Sequence, residues 1–85
     1  EKHLNWLFTG ISAYKCGDIQ LSHELIYSSI QQETVRRDYG WLAYCHLSAI
    51  QNKLGNNDLA KQYADIATKI DSMKTAEYIK DLLGQ

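Results

Sequence analysis

Three histidines, two cysteines and an arginine pair are the residues of this chain whose chemistry reaches beyond packing. A zinc-protease helix needs His-Glu-x-x-His, two imidazoles one turn apart with a carboxylate between them as general base. His23-Glu24 opens that pattern, but Tyr27 stands where the second histidine must fall. His3 and His46 have no Cys, Asp or Glu at ligand spacing within a turn on a common face, and they read as surface or groove side chains. A Gly-x-Ser-x-Gly elbow, a phosphate-cradling glycine loop and a dinucleotide fingerprint are all missing from the sequence. No two carboxylates are isolated in an apolar setting that would drive their acidities apart. The chain is therefore not read as an enzyme, and no catalytic residue, metal or cofactor is expected.

Cys16 and Cys45 lie 29 residues apart, outside any Cys-x-x-Cys pairing. Their reading is two reduced, mostly buried thiols acting as small hydrophobes, which favours a cytoplasmic setting over a disulfide-forming one. Arg36-Arg37 with Tyr39 and Trp41 has the residue types of a basic, aromatic nucleic-acid contact. Glu33 and Asp38 flank it, however, and nine Lys and Arg against ten Asp and Glu leave a net charge of −1. The phosphate-binding footprint is lacking, so a solvated loop is expected there and no nucleic acid is expected as a partner. The longest apolar run, Trp41 to Cys45, falls far short of the roughly 20 residues that cross a bilayer, so no membrane association is expected. Eighty-five residues make one domain with a small core. The chain opens on Glu1 and not Met, which suggests a piece of a longer protein.

The elements that must position these side chains are helices. Leu4, Leu7, Phe8, Ile11 and Tyr14 form a stripe at helical spacing from about His3 to Lys15, while Trp6, Gly10 and Ala13 form a second apolar face. Gly17 ends that helix and Asp18 caps the next, which runs to about Gln31 with Leu21, Leu25, Ile26 and Ile30 inward. Gln32 to Asp38 is polar, a loop or a solvated extension of a neighbouring helix. A third helix carries Trp41, Leu42, Tyr44, Cys45, Leu47, Ala49, Ile50 and Leu54, and Gly55-Asn56-Asn57 turns the chain again. The fourth sets Leu59, Ala60, Tyr63, Ala64, Ile66, Ala67 and Ile70 against the polar Lys61, Gln62, Asp65, Thr68 and Lys69. Asp71 or Ser72 caps a fifth helix with Met73, Ala76, Ile79, Leu82 and Leu83 on its apolar side, and Gly84 follows its last turn. Period-two alternation is lacking throughout, so no sheet is expected.

Two stretches repeat one another at a distance of 38 residues. Trp6, Gly10, Tyr14, Gly17, Ser22, Ile26 and Ser29 correspond to Tyr44, Ser48, Asn52, Gly55, Ala60, Ala64 and Ala67. A period between about 20 and 50 residues marks a stacked-repeat architecture. The second stretch, with its early aromatic, small Ser48, Lys53-Leu54-Gly55-Asn56 turn and Ala60, Ala64, Ala67 ladder, resembles a tetratricopeptide repeat. The first departs from it with Thr9 for leucine and with Ser22 and Ser29 for alanine, and Ser72 replaces the usual boundary proline. The expected fold is all-α: tetratricopeptide-like helical hairpins over residues 3–31 and 39–71, and a capping helix over 72–83. Ala60, Ala64 and Ala67 are expected at close helix contacts.

The resemblance implies a concave face lined by the first helix of each unit, where family members hold partner peptides. Mapped onto this chain, that face comprises Leu4, Leu7, Phe8, Ile11, Tyr14 and Lys15, then Leu42, Cys45, His46, Ala49, Asn52 and Lys53. Leu7, Ile11, Cys45 and Ala49 stand where relatives that clamp acidic C-termini carry Lys, Arg and Asn, so a carboxylate clamp is not expected. An apolar groove suits an amphipathic helix or another copy of the chain, unless a helix of the protein itself fills it. The resulting expectation is a protein–protein interaction module, a scaffold piece or the peptide-sensing part of a regulator. The alternative is a small cytoplasmic chaperone of a helical subunit, by analogy with type III secretion needle-subunit chaperones, to which Trp41-Leu-Ala-Tyr-Cys45 is faintly similar.

Overall fold

Two turns built alike divide the chain. The computed structural model describes residues 1–83, arranged as α1 (Lys2–Lys15), α2 (Ile19–Ser29), α3 (Glu33–Lys53), α4 (Asn57–Ile70) and α5 (Ser72–Leu83). Among the described residues there is no strand. After α1, Gly17 at φ +88° lets its own N–H reach Tyr14 O at 3.1 Å and the next N–H, of Asp18, reach Ala13 O at 2.9 Å. After α3, Gly55 at φ +82° repeats both bonds, Gly55 to Asn52 O at 3.1 Å and Asn56 to Gln51 O at 2.9 Å. This is the left-handed helix stop that satisfies two orphan carbonyls, and a side chain with a Cβ resists it. Each atom of the second turn lies 38 residues beyond its counterpart in the first.

The helices that these turns fold back cross closely at corresponding points. In the first hairpin Ser22 Oγ donates to Gly10 O at 2.7 Å; in the second Ser48 Oγ donates to Ala60 O, also at 2.7 Å. The crossing is one place in the repeat, hydrogen-bonded from opposite sides. Gly10 is needed there because a Cβ would meet Ile26 Cγ1 at 2.7 Å and the Ile26 backbone nitrogen at 3.2 Å. Ser48 occupies the matching place in the second hairpin, where the partner helix carries Ala64 instead of an isoleucine.

Residues 32–38 resolve in favour of the solvated extension. Glu33 to Asp38 form the opening turns of α3, with Val35 buried and its neighbours exposed. Arg36 Nη1 donates to Ile30 O at 2.8 Å and so satisfies the end of α2, while Arg37 pairs with Asp38 at 3.0 Å. The expected Arg36-Arg37 loop is therefore a helix whose polarity reflects its outer face. The core is drawn from α1 to α3: Leu7, Ile11, Ile26, Ile30, Val35, Ala43, Leu47 and Ile50. Fully burying one such aliphatic side chain contributes about 1.5–3 kcal/mol. The α4 and α5 helices add Ala60, Ala67 and Leu82, a thinner contribution made of smaller groups.

Two expectations about α4 and α5 change. Ala60 and Ala67 are buried, but Ala64 is only partly so, and Ile66 and Ile70 are about 40% exposed. On α5 the buried stripe runs through Thr75 and Leu82 with Tyr78 and Ile79 half-buried, whereas Met73 and Ala76, expected inward, face out. Asp71 caps α5, its Oδ1 accepting from the Lys74 N–H at 3.0 Å. Gly84, expected after the last turn, and the side chain of Leu83 lie outside the described residues.

Candidate functional site

Both α1 and α5 pack on α3, and this arrangement decides which of the expected groove residues remain accessible. Leu7 and Ile11 do not line a groove. They turn into the core against Ile26, Leu47 and Ile50, because the α1 stripe is wide enough to split between the two helices it meets. Cys45, His46 and Ala49 are likewise buried, since α5 lies over this part of α3. Leu4, Tyr14 and Leu42 stay half-buried, and Phe8, Lys15, Asn52 and Lys53 are exposed. The continuous groove is thus replaced by an open strip at one end and a closed aromatic cluster at the other.

The closed end centres on His46, fully buried between the rings of Tyr14 on α1 and Tyr78 on α5, each centroid 5.3 Å away. Its Nε2 forms a short hydrogen bond with the Tyr78 hydroxyl. Nδ1 is buried with no protein partner. The surroundings favour a proton on Nε2 donating to Tyr78, since the opposite tautomer would strand a buried N–H, the rarer fault in folded chains. Burial, and then the charge of Lys15, lower the imidazole pKa from 6.5 to about 4. The ring is neutral at physiological pH and cements α5 to α3. Beside it, burial raises the Cys45 thiol to about 11, against a smaller opposing effect of a hydrogen bond with Thr75. A thiol so far from thiolate character is not a nucleophile. Cys16, expected to be mostly buried, is exposed at the first turn.

Thr75 and Tyr78 escaped the sequence reading, although Thr75, Tyr78, Ile79 and Leu82 follow the i, i+3, i+4, i+7 spacing that marks a buried helix face. The apolar Met73 and Ala76 drew the stripe to the wrong side. Thr75 Oγ1 donates to Ala67 O at 2.9 Å, so a polar residue is satisfied where an apolar one was expected.

The open end is apolar. Phe8 is 46% exposed and meets Tyr39 edge-on at 6.0 Å. Leu4 lies one turn before Phe8 and Leu42 three residues after Tyr39, so the four form a strip along α1 and α3. Trp41, expected at a groove edge, instead meets Tyr78 edge-on at 5.9 Å with Lys74 Nζ 5.6 Å from its ring. On the other side of α3, the seam between the second hairpin and α5 leaves an opening of about 240 Å³, lined by Cys45, Ala49, Lys61, Ala64, Ile79 and Leu82 among others. Among the described residues no group of three His, Cys, Asp or Glu side chains is placed to hold a metal ion, and no helix is long and apolar enough to cross a membrane. Comparison with known proteins returns no match, whether to a family model, a curated protein or a solved structure.

Proposed function

We propose that this chain is a tetratricopeptide-type helical-repeat module that binds a helical or extended segment of a partner protein through the strip formed by Leu4, Phe8, Tyr39 and Leu42. Two observations support the repeat assignment: the glycine turns duplicated at a 38-residue offset, and the hydrogen-bonded helix crossing that recurs with them. The observation that carries the binding assignment is Phe8, a large ring left nearly half exposed beside other incompletely covered apolar groups. Contiguous exposed apolar surface of this kind marks interaction sites, whereas a lone exposed hydrophobe does not. The strip is narrower than the groove expected from the resemblance, and it takes two or three apolar side chains from one face of a partner helix.

A quantitative pull-down with the immobilised chain tests this reading. Proteins retained by the wild type are expected to be lost with Phe8→Glu, while circular dichroism of the variant remains that of the wild type. Equal retention by a folded Phe8→Glu variant would remove the strip from the account.

A further inference from the structure

The 38-residue correspondence makes the first hairpin an internal reference for the second. Leu7, Ile11 and Ile26 of the first hairpin correspond to Cys45, Ala49 and Ala64 of the second, and every one of the three is shorter in the second. The first set is buried in the core against α3. The second set faces α5 across the opening of about 240 Å³, whose far wall is Ile79 and Leu82. His23 in the first hairpin corresponds to Lys61 in the second, so a fixed cation stands at the rim of the emptier seam. Lys61 is exposed and forms no ion pair among the described residues, and neither Asp58 nor Asp65, its acidic neighbours on α4, lines the opening. The opening also reaches Asn57, the first residue of α4, where unsatisfied N–H groups and the helix dipole favour an anion.

We infer that this seam binds a small amphipathic monocarboxylate, its single ring or short branched chain on the floor of Cys45, Ala49 and Ala64 and its carboxylate at Lys61. Size sets the class: a dry cavity of roughly 150 Å³ accepts benzene, so this one holds a ring and its acid group and little more. The chemistry is shared by a free aryl or branched acid and by the C-terminal apolar residue of a peptide. The site is separate from the Phe8 strip and goes beyond the partner-binding reading, whose failure would leave it untouched.

The test uses phenylacetate, an acetylated tetrapeptide ending in phenylalanine, and the neutral benzyl alcohol, each titrated into the whole chain and followed by amide chemical shifts. The expected result is saturable shifts at Cys45, Ala49, Lys61 and Ala64 with phenylacetate, the peptide or both, at Kd in the range of about 1 mM that suits so few atoms. Which of the two acids binds more tightly identifies the source. Lys61→Gln is expected to weaken the acids at least fivefold and to leave benzyl alcohol unchanged, and Ala64→Leu is expected to abolish binding of all three with no loss of melting temperature. Because Lys61 is exposed, its variant folds and keeps the test decisive even if Ala64→Leu does not. No saturable shift at these residues, or acids and alcohol bound alike and indifferent to Lys61→Gln, would overturn the inference.

Discussion

Acidification should undo the closed end of the molecule before it affects the rest. His46 titrates near 6.5 when exposed and near about 4 in the fold, first because it is buried and second because Lys15 is close. The other titratable groups facing it are Tyr14, Tyr78 and Cys45, all raised by burial and neutral through this range. As the pH falls, the unfolded chain takes up the His46 proton before the folded chain does. The stability linked to His46 is therefore fully present above pH 6.5, declines between 6.5 and about 4, and is gone below. At about 1.36 kcal/mol per pH unit the whole effect is ~3 kcal/mol, and ~2 kcal/mol of it is lost by pH 5. That is a large share of what a domain of this size possesses. Urea unfolding followed by circular dichroism at about pH 7.5 and at pH 5 measures it, with His46→Gln as reference because glutamine keeps a polar contact to Tyr78 and does not titrate. Exposed carboxylates titrate alike in both proteins and cancel. The wild type is expected to lose ~2 kcal/mol more than the variant. Equal losses, or an imidazole that NMR finds titrating near 6.5, would refute the reasoning.

Three substitutions probe the remaining assignments. Phe8→Glu should keep the helix content and melting temperature of the wild type, whereas Ile11→Glu, placing a carboxylate in the core, should leave the chain unfolded at room temperature by circular dichroism. Gly10→Ala should destabilise by about 1–3 kcal/mol, since its Cβ collides with the buried Ile26 side chain and neither helix can retreat without breaking the Ser22 bond; a thermal melt unchanged from the wild type would contradict the close crossing. Ala67→Leu should cost a similar ~1–3 kcal/mol in a urea titration, because Ala67 is fully buried and its carbonyl receives the Thr75 hydroxyl.

Helix number, turns and caps were legible because local physics sets them. Gly17 and Gly55 need no tertiary context to end a helix, and Asp18 and Asp71 cap whatever follows them. What surrounds each helix was harder to read. The α1 stripe gave no sign that Leu7 and Ile11 would enter the core while Phe8 stayed out, since this depends on the angle at which α3 meets α1. The polar opening of α3 concealed a helix because a single inward residue, Val35, is too little for periodicity to register. The closed cluster was beyond reach for a different reason: His46 is held by Tyr14 and Tyr78, 32 residues to either side, and no local pattern announces such a meeting. The emptier second seam was visible in principle, since the pairs Leu7 and Cys45, Ile11 and Ala49, and Ile26 and Ala64 stand in the repeat itself.

The claim that the α1–α3 strip is where this protein meets its partner is most directly tested by photo-crosslinking in the cells that produce it. A benzophenone amino acid at position 8 reports on the strip, and one at position 69 serves as control, being exposed on α4, which packs on α3 and α5. The account predicts a discrete adduct from position 8, with a partner protein or a second copy of the chain, that position 69 does not give and that Tyr39→Glu suppresses. No adduct from position 8, or the same adduct from both positions, would contradict it.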